Sequence, residues 1–339
     1  MRAALSPARL VGVAVGLLVA AAVVLYLVPS NDYILLPDPA HPVAPLVQVK
    51  GGKNAADGGG IYFVDVFERR ASMFESLFPW IHKGSTLVPA RLIVPPGVTD
   101  KAVRQADLRA MSISQRVAAA VALRRLGYKV VARPSGVIVA ALDSTSHAVG
   151  KLRPSDVITA VNGVRTPTIA SLRRQLARVD AGDIVTLDVS RSTGSGSDTD
   201  IVLKVKTMAD GKRAIVGFAP EQAAEIRLPV KISIDAGNVG GPSAGLAFAL
   251  EVMEKLGRDV DHGYRVAATG EIHLDGAVGA IGGVKQKTFG VRDAKADVFL
   301  VPAGDNAREA RRYANGLRII PVKTFPQALR ALATLPKRG

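Results

Sequence analysis

The stretch GNVGGPSAG, residues Gly237–Gly245, is a glycine-rich segment that runs directly into an apolar helical pattern over residues 246–256. Ser243 is therefore expected at the N-terminal end of a helix, where unpaired backbone N–H groups and the positive end of the helix dipole collect. Such a position stabilises a developing oxyanion, and flanking glycines let a substrate chain approach closely. The stretch indicates a place for a nucleophilic serine. The alternative is that Ser243 only caps the helix with its side-chain oxygen.

Two further motifs follow along the chain: TGEI at residues 269–272 and GGVKQK at residues 282–287. In this order and spacing, the three motifs resemble the proteolytic domain of the Lon family. The resemblance implies an α+β fold of the Lon type and serine peptidase activity with neither a cofactor nor a metal ion. The family's catalytic dyad is the serine of the first motif and the second lysine of the last, which gives Ser243 and Lys287 here.

The chemistry of such a dyad restricts where its lysine can lie. A lysine accepts the serine proton only when it is neutral, so its pKa has to fall from the solution value of about 10.4. We expect Lys287 to be buried beside Ser243, because apolar surroundings disfavour the charged amine. Thr269 corresponds in the family to a hydroxyl beside the lysine and is expected to orient it. Lys285 lies two residues from Lys287, so on a helix only one of them can meet the serine.

Two other functions stay open. The GPSAG segment also fits the Gly-x-Ser-x-Gly motif of esterases, whose serine needs a histidine farther along the chain, and the candidates are His262 and His273. That motif follows a strand directly, whereas residues 235–241 are expected to form a loop. The second alternative is a catalytically inactive, membrane-tethered scaffold in which only a PDZ domain works.

The PDZ prediction comes from an insertion in the Lon-like pattern. Residues 111–128 resemble the first helix of the proteolytic domain, which normally lies closer to the catalytic serine. The intervening chain resembles a bacterial PDZ domain through residues 135–141 and 155–158, where the usual Gly-Asp-x-Ile reads Ser-Asp-Val-Ile. PDZ domains bind an extended peptide as an added strand and hold its C-terminal carboxylate with backbone N–H groups. The resemblance implies that protein or peptide substrates bind at the loop led by Gly136; the alternative is a module that only braces the protease.

The N-terminal region predicts a membrane anchor. Leu10–Val28 form a run of 19 residues without a charge, long enough for a helix that spans a bilayer. Arg2 and Arg9 precede it, and the positive-inside bias places the N-terminus in the cytoplasm and the catalytic part outside. We expect a retained single-pass anchor in the cell membrane, with a cleaved signal peptide as the alternative. Apolar residues at helical spacing in 72–83 are expected to cover a core; the other possibility is a position near the membrane.

Composition excludes some classes of function. The chain has 339 residues, no cysteine and a formal net charge of +15, so thiol chemistry is excluded. Its basic residues are scattered rather than clustered, which disfavours nucleic acid as a partner. No Gly-x-x-x-x-Gly-Lys-Ser/Thr motif occurs within the 339 residues, so we expect ATP-independent cleavage of unstructured or membrane-associated proteins. Because Lon-like domains often form rings, a homo-oligomer is an open expectation.

These patterns divide the chain into four parts. The first is a cytoplasmic tip with the transmembrane anchor, and the second is a tether with the N-terminal part of the Lon-like protease domain. The third is the PDZ domain, and the fourth is the rest of the protease domain with the dyad. Their expected ranges are residues 1–32, 33–128, 129–210 and 211–339.

Overall fold

The computed structural model describes residues 7–52, 59–94, 98–192, 198–211 and 213–337. The helices within these residues are α1 (Pro7–Leu27), α2 (Met73–Leu77), α3 (Ala90–Ile93), α4 (Asp100–Arg125), α5 (Ile169–Leu176), α6 (Gly245–Lys255), α7 (Val284–Asp293), α8 (Asp305–Tyr313) and α9 (Phe325–Ala333), with a 3-10 turn at Pro79–Ile81. The strands are β1 (Pro29–Pro37), β2 (His41–Pro42), β3 (Val47–Val49), β4 (Gly60–Phe63), β5 (Val66–Ser72), β6 (Thr86–Pro89), β7 (Val131–Leu142), β8 (Val157–Val161), β9 (Val164–Arg165), β10 (Ile184–Ser192), β11 (Asp198–Lys206), β12 (Met208–Asp210), β13 (Arg213–Ile215), β14 (Phe218–Arg227), β15 (Ile232–Ile234), β16 (Arg265–Ala268), β17 (Glu271–Ile272), β18 (Val278–Gly279), β19 (Val298–Pro302) and β20 (Arg318–Val322).

A sheet in the order β2-β4-β16-β19-β20 forms the centre of the region that carries the three motifs. The strands β4, β16, β19 and β20 are parallel, and β2 adds antiparallel at the β4 edge. Successive residues of a strand point to opposite faces. Val266 and Ala268 therefore pack with α4 and α6, whereas Ala267 packs with α7 and α8. Helices cover both faces of the sheet, as is usual for parallel strands.

A second sheet, in the order β11-β10-β8-β7-β14 with β9 beside β8, has a separate buried core. Its last strand, β14, follows residue 210, where the sequence placed the end of the PDZ segment. This strand nevertheless pairs antiparallel with β7 from Phe218 opposite Leu142 to Arg227 opposite Val131. The sheet therefore continues beyond the boundary expected from the sequence.

Gly136 lies inside β7 and not in a peptide-binding loop, so that expectation is wrong. A Cβ atom at Gly136 would lie 2.6 Å from Val157 Cγ1 and 2.7 Å from Ile158 O, and the glycine therefore permits the close approach of β7 and β8. Both edges of β7 are occupied by neighbouring strands. Among the strands of the described residues, β14 pairs with β7 alone. The strands at the two ends of this sheet, β14 and β11, therefore each have an open edge, and β14 is the one beside α5.

Ser155 replaces the glycine that is usual in the turn before β8, and it keeps the glycine-like backbone. Its φ is +66°, in the left-handed region that favours glycine. The Ser155 hydroxyl donates to Ala106 O of α4 at 2.9 Å, and the neighbouring Asp156 accepts two hydrogen bonds from Arg191, at 2.9 and 2.6 Å. The turn is thus held in place from both sides, and α4 links the two sheets.

Two apolar segments lie on the outside of the protein. Within the described residues, α1 is the helix that is long and apolar enough to cross a membrane, over Leu10–Leu27, and none of this window is buried. In residues 73–81, Met73, Leu77 and Trp80 are 38%, 54% and 73% exposed. The expectation that this segment covers a core is therefore wrong. The side chain that α2 buries is Glu75. Phe74 and Phe78 are half-buried, whereas Met73, Leu77 and Trp80 face outward.

Candidate active site

The structure brings Ser243 and Lys287 into direct contact. Lys287 Nζ donates to Ser243 Oγ at 2.6 Å and to Thr269 Oγ1 at 3.2 Å. The Lys287 side chain is almost fully buried, with 3% of its surface exposed, and Thr269 is completely buried. The three hydroxyl and amine groups come from three separate elements: the loop before α6, the residue after β16, and the first turn of α7. The site therefore exists only where these elements pack together.

The position of Lys287 follows from the face of α7 on which it lies. The helix begins after Gly283, whose φ of +67° is left-handed. Val284 and Val291 pack into the core beneath the sheet, and residues three or four positions apart share one face of a helix. Lys287 lies three residues after Val284 and four before Val291, so its side chain is carried inward with theirs.

Lys285 takes a different direction. Its Nζ donates to Ser85 O at 2.6 Å and to Thr86 Oγ1 at 3.4 Å, on the segment that leads into β6. The same ammonium lies 5.8 Å from the ring centroid of Tyr313. The two lysines therefore face different partners, and Lys287 is the one that meets the serine.

The loop that carries Ser243 is held by backbone contacts, and its hydroxyl is left for Lys287. The N-cap of α6 is Ala244, and no side chain caps the helix, so the capping alternative for Ser243 is wrong. Ser243 O accepts from Gly270 N at 2.8 Å and from Thr269 Oγ1 at 3.1 Å. On the other side, Gly241 N donates to Asp107 O at 2.8 Å. Thr269 therefore contacts both members of the pair.

Ser114 helps to position the loop that carries Ser243, and the sequence did not predict this role. Its hydroxyl donates to Pro242 O at 2.9 Å, across 128 positions of sequence, and fixes the loop against α4. The side chain is 4% exposed. A serine on the apolar face of a helix was the only available signal, because nothing local relates α4 to the loop.

Backbone N–H groups beside Ser243 are available to bind an anion. In the described part of the chain, the N–H groups of Ser243 and Ala244 meet no acceptor, whereas Gly245 N donates to Pro242 O at 3.2 Å. These two groups lie immediately before the first turn of α6, where the helix dipole is positive. A negative oxygen next to Ser243 Oγ would be stabilised there.

The electrostatic setting favours a neutral amine. Burial lowers the pKa of Lys287 to about 8, because the charged form is poorly solvated among apolar neighbours. The Asp65 carboxylate opposes this effect by attracting the ammonium. Burial and the neighbouring Asp38 in turn raise the pKa of Asp65. A larger fraction of Lys287 is therefore neutral near pH 8 than for an exposed lysine.

Two groups of side chains have donor atoms close enough together for a metal ion. Within the described residues, donor atoms of Asp38, His41 and Asp65 lie within 4.8 Å of one another, and so do those of Glu254, Asp259 and Asp261. Neither group includes Ser243 or Lys287, and clusters of acidic residues are common without an ion. The hydrogen bond between Lys287 and Ser243 is direct and involves neither group.

The histidines of the esterase alternative are not beside the serine. The hydrogen-bond partner of Ser243 Oγ is Lys287. His273 lies at the β17–β18 hairpin, where its backbone N–H donates to Ala277 O, and His262 lies in the turn before β16. A lysine and not a histidine therefore occupies the position next to the serine, which disfavours esterase chemistry of the Ser-His type.

Two protein-family models match the chain. Residues 208–334 match the Lon protease (S16) C-terminal proteolytic domain, and residues 124–207 match the PDZ domain. The chain is similar to Lon protease 1 of Sorangium cellulosum, with 36% identity over 140 residues that cover 37% of this chain and 17% of that protein. It is also similar to Lon protease 2 of Bacillus subtilis, with 31% identity over 169 residues that cover 47% of this chain and 29% of that protein.

The similarity thus spans less than a third of each of these two relatives. Among solved structures, the PDZ domain of an SdrC-like protein from Listeria monocytogenes aligns with 25% of this chain and 87% of its own chain, at 18% identity and a TM-score of 0.23.

Proposed function

Because the chain carries a Lon-type proteolytic domain and a PDZ domain, we propose that it is a membrane-anchored serine endopeptidase that works without ATP through a Ser243–Lys287 dyad. The observation that carries the proposal is the 2.6 Å contact between Lys287 Nζ and Ser243 Oγ, made by a lysine that is 3% exposed. A buried amine with a lowered pKa beside a hydroxyl is the arrangement that a Ser-Lys mechanism requires.

The reaction proceeds in two proton-coupled steps. Neutral Lys287 accepts the proton of Ser243 Oγ while this oxygen attacks the carbonyl carbon of the scissile peptide bond. The N–H groups of Ser243 and Ala244 stabilise the resulting oxyanion. The ammonium then protonates the leaving amine, and the C–N bond breaks to give an acyl-enzyme. Lys287 then takes a proton from a water molecule whose oxygen attacks the ester carbon. The bond between Ser243 Oγ and this carbon breaks, the carboxylic acid leaves, and the Lys287 ammonium returns the proton to Ser243 Oγ.

Peptide cleavage is expected to increase with pH around the pKa of Lys287, about 8. Below that value the amine is protonated and has no lone pair to accept the serine proton, so activity falls as pH decreases. Since burial lowers this pKa, the active form is present at a lower pH than an exposed lysine would allow. The measurement is kcat/KM for a fluorogenic peptide against pH, which reports the free enzyme. A profile that decreases through the same pH range would contradict a lysine base.

The PDZ domain is proposed to present extended segments of substrate at β14. An edge strand gives main-chain hydrogen bonds to an added peptide, and neighbouring side chains select its residues. The helix α5 packs beside β14, and Gln222 of β14 lies within 3.4 Å of the first N–H of α5. The bracing alternative is also supported, because Arg109 of α4 donates to Ser190 O of the PDZ sheet at 3.1 Å.

The proposed location is the cell membrane, with the N-terminus in the cytoplasm and the catalytic part outside it. Support comes from the exposed apolar helix α1 and from Arg2 and Arg9, which precede its apolar run. An anchored peptidase with no nucleotide motif in these residues would act on unstructured tails, loops or small membrane proteins. It could not unfold stable domains.

Cleavage of an unfolded protein in the absence of nucleotide tests the proposal directly. The full chain, solubilised in mild detergent, is expected to degrade casein without ATP, and a serine-directed phosphonate probe is expected to label Ser243. The matched control is Ser243→Ala, which should abolish both signals while keeping the circular dichroism spectrum. A correctly folded chain that shows neither cleavage nor labelling would instead be the inactive, tethered scaffold.

A further inference from the structure

We propose that Met73, Leu77, Trp80 and Ile81 form a ridge that rests in the surface of the lipid bilayer and holds the active site close to the membrane. This ridge is the exposed apolar side of α2 and the following 3-10 turn, and its members are 38%, 54%, 73% and 43% exposed, respectively. Four large apolar side chains within nine residues are an unusual surface for water to contact. The inference rests on the proposed anchor and peptidase function.

The ridge is held in this orientation by a buried carboxylate. Glu75 is fully buried and accepts hydrogen bonds from Arg69 at 2.9 and 2.5 Å. His82 Nε2 lies 2.7 Å from the same carboxylate, and the hydrogen bond from Arg69 holds the pKa of Glu75 well below its usual range. On a helix, Met73 and Leu77 share one face, and Glu75 lies on the opposite one. The polar side is therefore fixed inward and the apolar side outward.

The ridge begins where the apolar helix α1 ends. Met73 N donates to Val28 O at 2.8 Å, and Val28 N in turn donates to Val24 O at 3.0 Å. The apolar run of α1 has the length that crosses a hydrocarbon core. If α1 spans the bilayer, the ridge lies at the level of the lipid headgroups. Because the ridge continues directly from this apolar helix, the surface that it contacts is the bilayer.

The side chains of the ridge suit that depth. Tryptophan is enriched at membrane interfaces because its ring is amphipathic, and Trp80 packs edge-on against Phe78 with ring centroids 5.3 Å apart. Lys83 and Arg91 are exposed on the segments that follow the ridge. Each cation near the surface adds attraction to anionic headgroups.

The ridge is connected to the helix that carries the catalytic lysine. Immediately after it, Gly84 O accepts from Gln286 Nε2 at 3.0 Å and Ser85 O accepts from Lys285 Nζ at 2.6 Å. Gln286 and Lys285 are the residues just before Lys287. A ridge seated on the bilayer therefore fixes the dyad near the surface. The substrate class that fits is the juxtamembrane segment of another membrane-bound protein.

The sequence provides a built-in reporter, because Trp80 is its only tryptophan. We would reconstitute the full chain in phosphatidylcholine–phosphatidylglycerol vesicles whose acyl chains carry bromine, a contact quencher of tryptophan. Trp80 fluorescence is expected to be quenched, most strongly by bromines nearest the headgroups. In a Trp80→Phe background, Val202→Trp on the exposed strand β11 serves as the control outside the membrane and should not be quenched. In the same background, Val19→Trp within α1 serves as the control inside it and should be quenched.

The outcomes separate the ridge from the anchor. Quenching of Val19→Trp without quenching of Trp80 would overturn the ridge and leave the anchor intact. In that case, quenching of Trp80 by acrylamide would show contact with water, and protection from acrylamide would show a protein partner. If neither tryptophan is quenched, the proposals of a membrane-bound ridge and of a membrane anchor are both wrong. The casein assay in detergent needs no bilayer, so it tests the peptidase function independently of the ridge and the anchor.

A second measurement addresses the consequence for substrates. Leu77→Asp is expected to slow the cleavage of a vesicle-embedded substrate several-fold and to leave the cleavage of a soluble peptide unchanged. Val202→Asp provides the matched change on β11 and should affect neither substrate. Equal rates of Leu77→Asp and the unmodified chain on the embedded substrate would overturn the link between the ridge and substrate choice.

Discussion

Replacing Lys287 with methionine is expected to lower kcat/KM for peptide cleavage by about ten-thousandfold, whereas Lys285→Met should keep it within a few-fold of the unmodified chain. Methionine resembles lysine in length but cannot accept a proton from Ser243. Because burying an amine is costly, Lys287→Met is not expected to unfold the protein, and the lost rate reports chemistry. Lys285 is the matched control, since it lies on the same helix and bonds Ser85 O instead.

The measurement is kcat/KM with a fluorogenic peptide, together with a thermal unfolding curve for each variant. Because the two residues of a dyad act as a unit, the double variant Ser243→Ala/Lys287→Met should be no slower than either single variant. Near-normal activity in both lysine variants would end the dyad proposal. Equal losses in both, with intact folding, would instead indicate that the whole N-terminal turn of α7 matters and not one amine.

Gly290→Ala is expected to destabilise the protein by about 3 kcal/mol or more. In a helix interior, alanine is normally favoured over glycine by about 1 kcal/mol. Whether Gly290→Ala stabilises or destabilises the protein therefore depends on the space around the new Cβ atom. A Cβ atom at Gly290 would lie 1.8 Å from Asp38 O and 3.2 Å from Val64 Cγ2. Asp38 O is a backbone atom, which cannot rotate away as a side chain could. The helix α7 would therefore have to move away from the segment around Asp38.

Urea unfolding of the detergent-solubilised chain measures the effect. Gly282→Ala is the matched control, because its Cβ would meet no atom within 4 Å, and its stability should remain close to that of the unmodified chain. Activity should fall with stability in Gly290→Ala, since Lys287 lies three residues earlier on the same helix. A Gly290→Ala variant as stable as the control would mean that α7 and the segment around Asp38 do not pack as described.

The local elements around the site were predictable from sequence because their signals are local. The apolar period over residues 246–256 predicted α6, which the structure places at Gly245–Lys255. The motif order predicted a Lon-type proteolytic domain and a PDZ domain, and the matches to both family models confirm this. The assignment of Ser243 and Lys287 to catalysis stays a proposal.

Predictions that depended on distant partners were less successful. Gly136 was assigned to a binding loop through the resemblance to PDZ domains, yet β14 pairs with that segment from more than 80 positions away. The segment 72–83 was assigned to a core because its apolar residues recur at helical spacing. That spacing defines a face of the helix, but it does not say whether the face turns toward the protein core or away from it.

The sequence by itself determined which residues are candidates for chemistry, because hydroxyl, amine and glycine-rich motifs are local properties with a fixed order along the chain. The family resemblance named Lys287 as the partner of Ser243, and the tertiary structure supplied the physical reason that Lys285 is not: the sheet buries the face of α7 that carries Lys287. The tertiary structure alone also placed Glu75 inside and Trp80 outside, because the partners of the buried carboxylate come from a strand and a turn that the helix pattern does not specify.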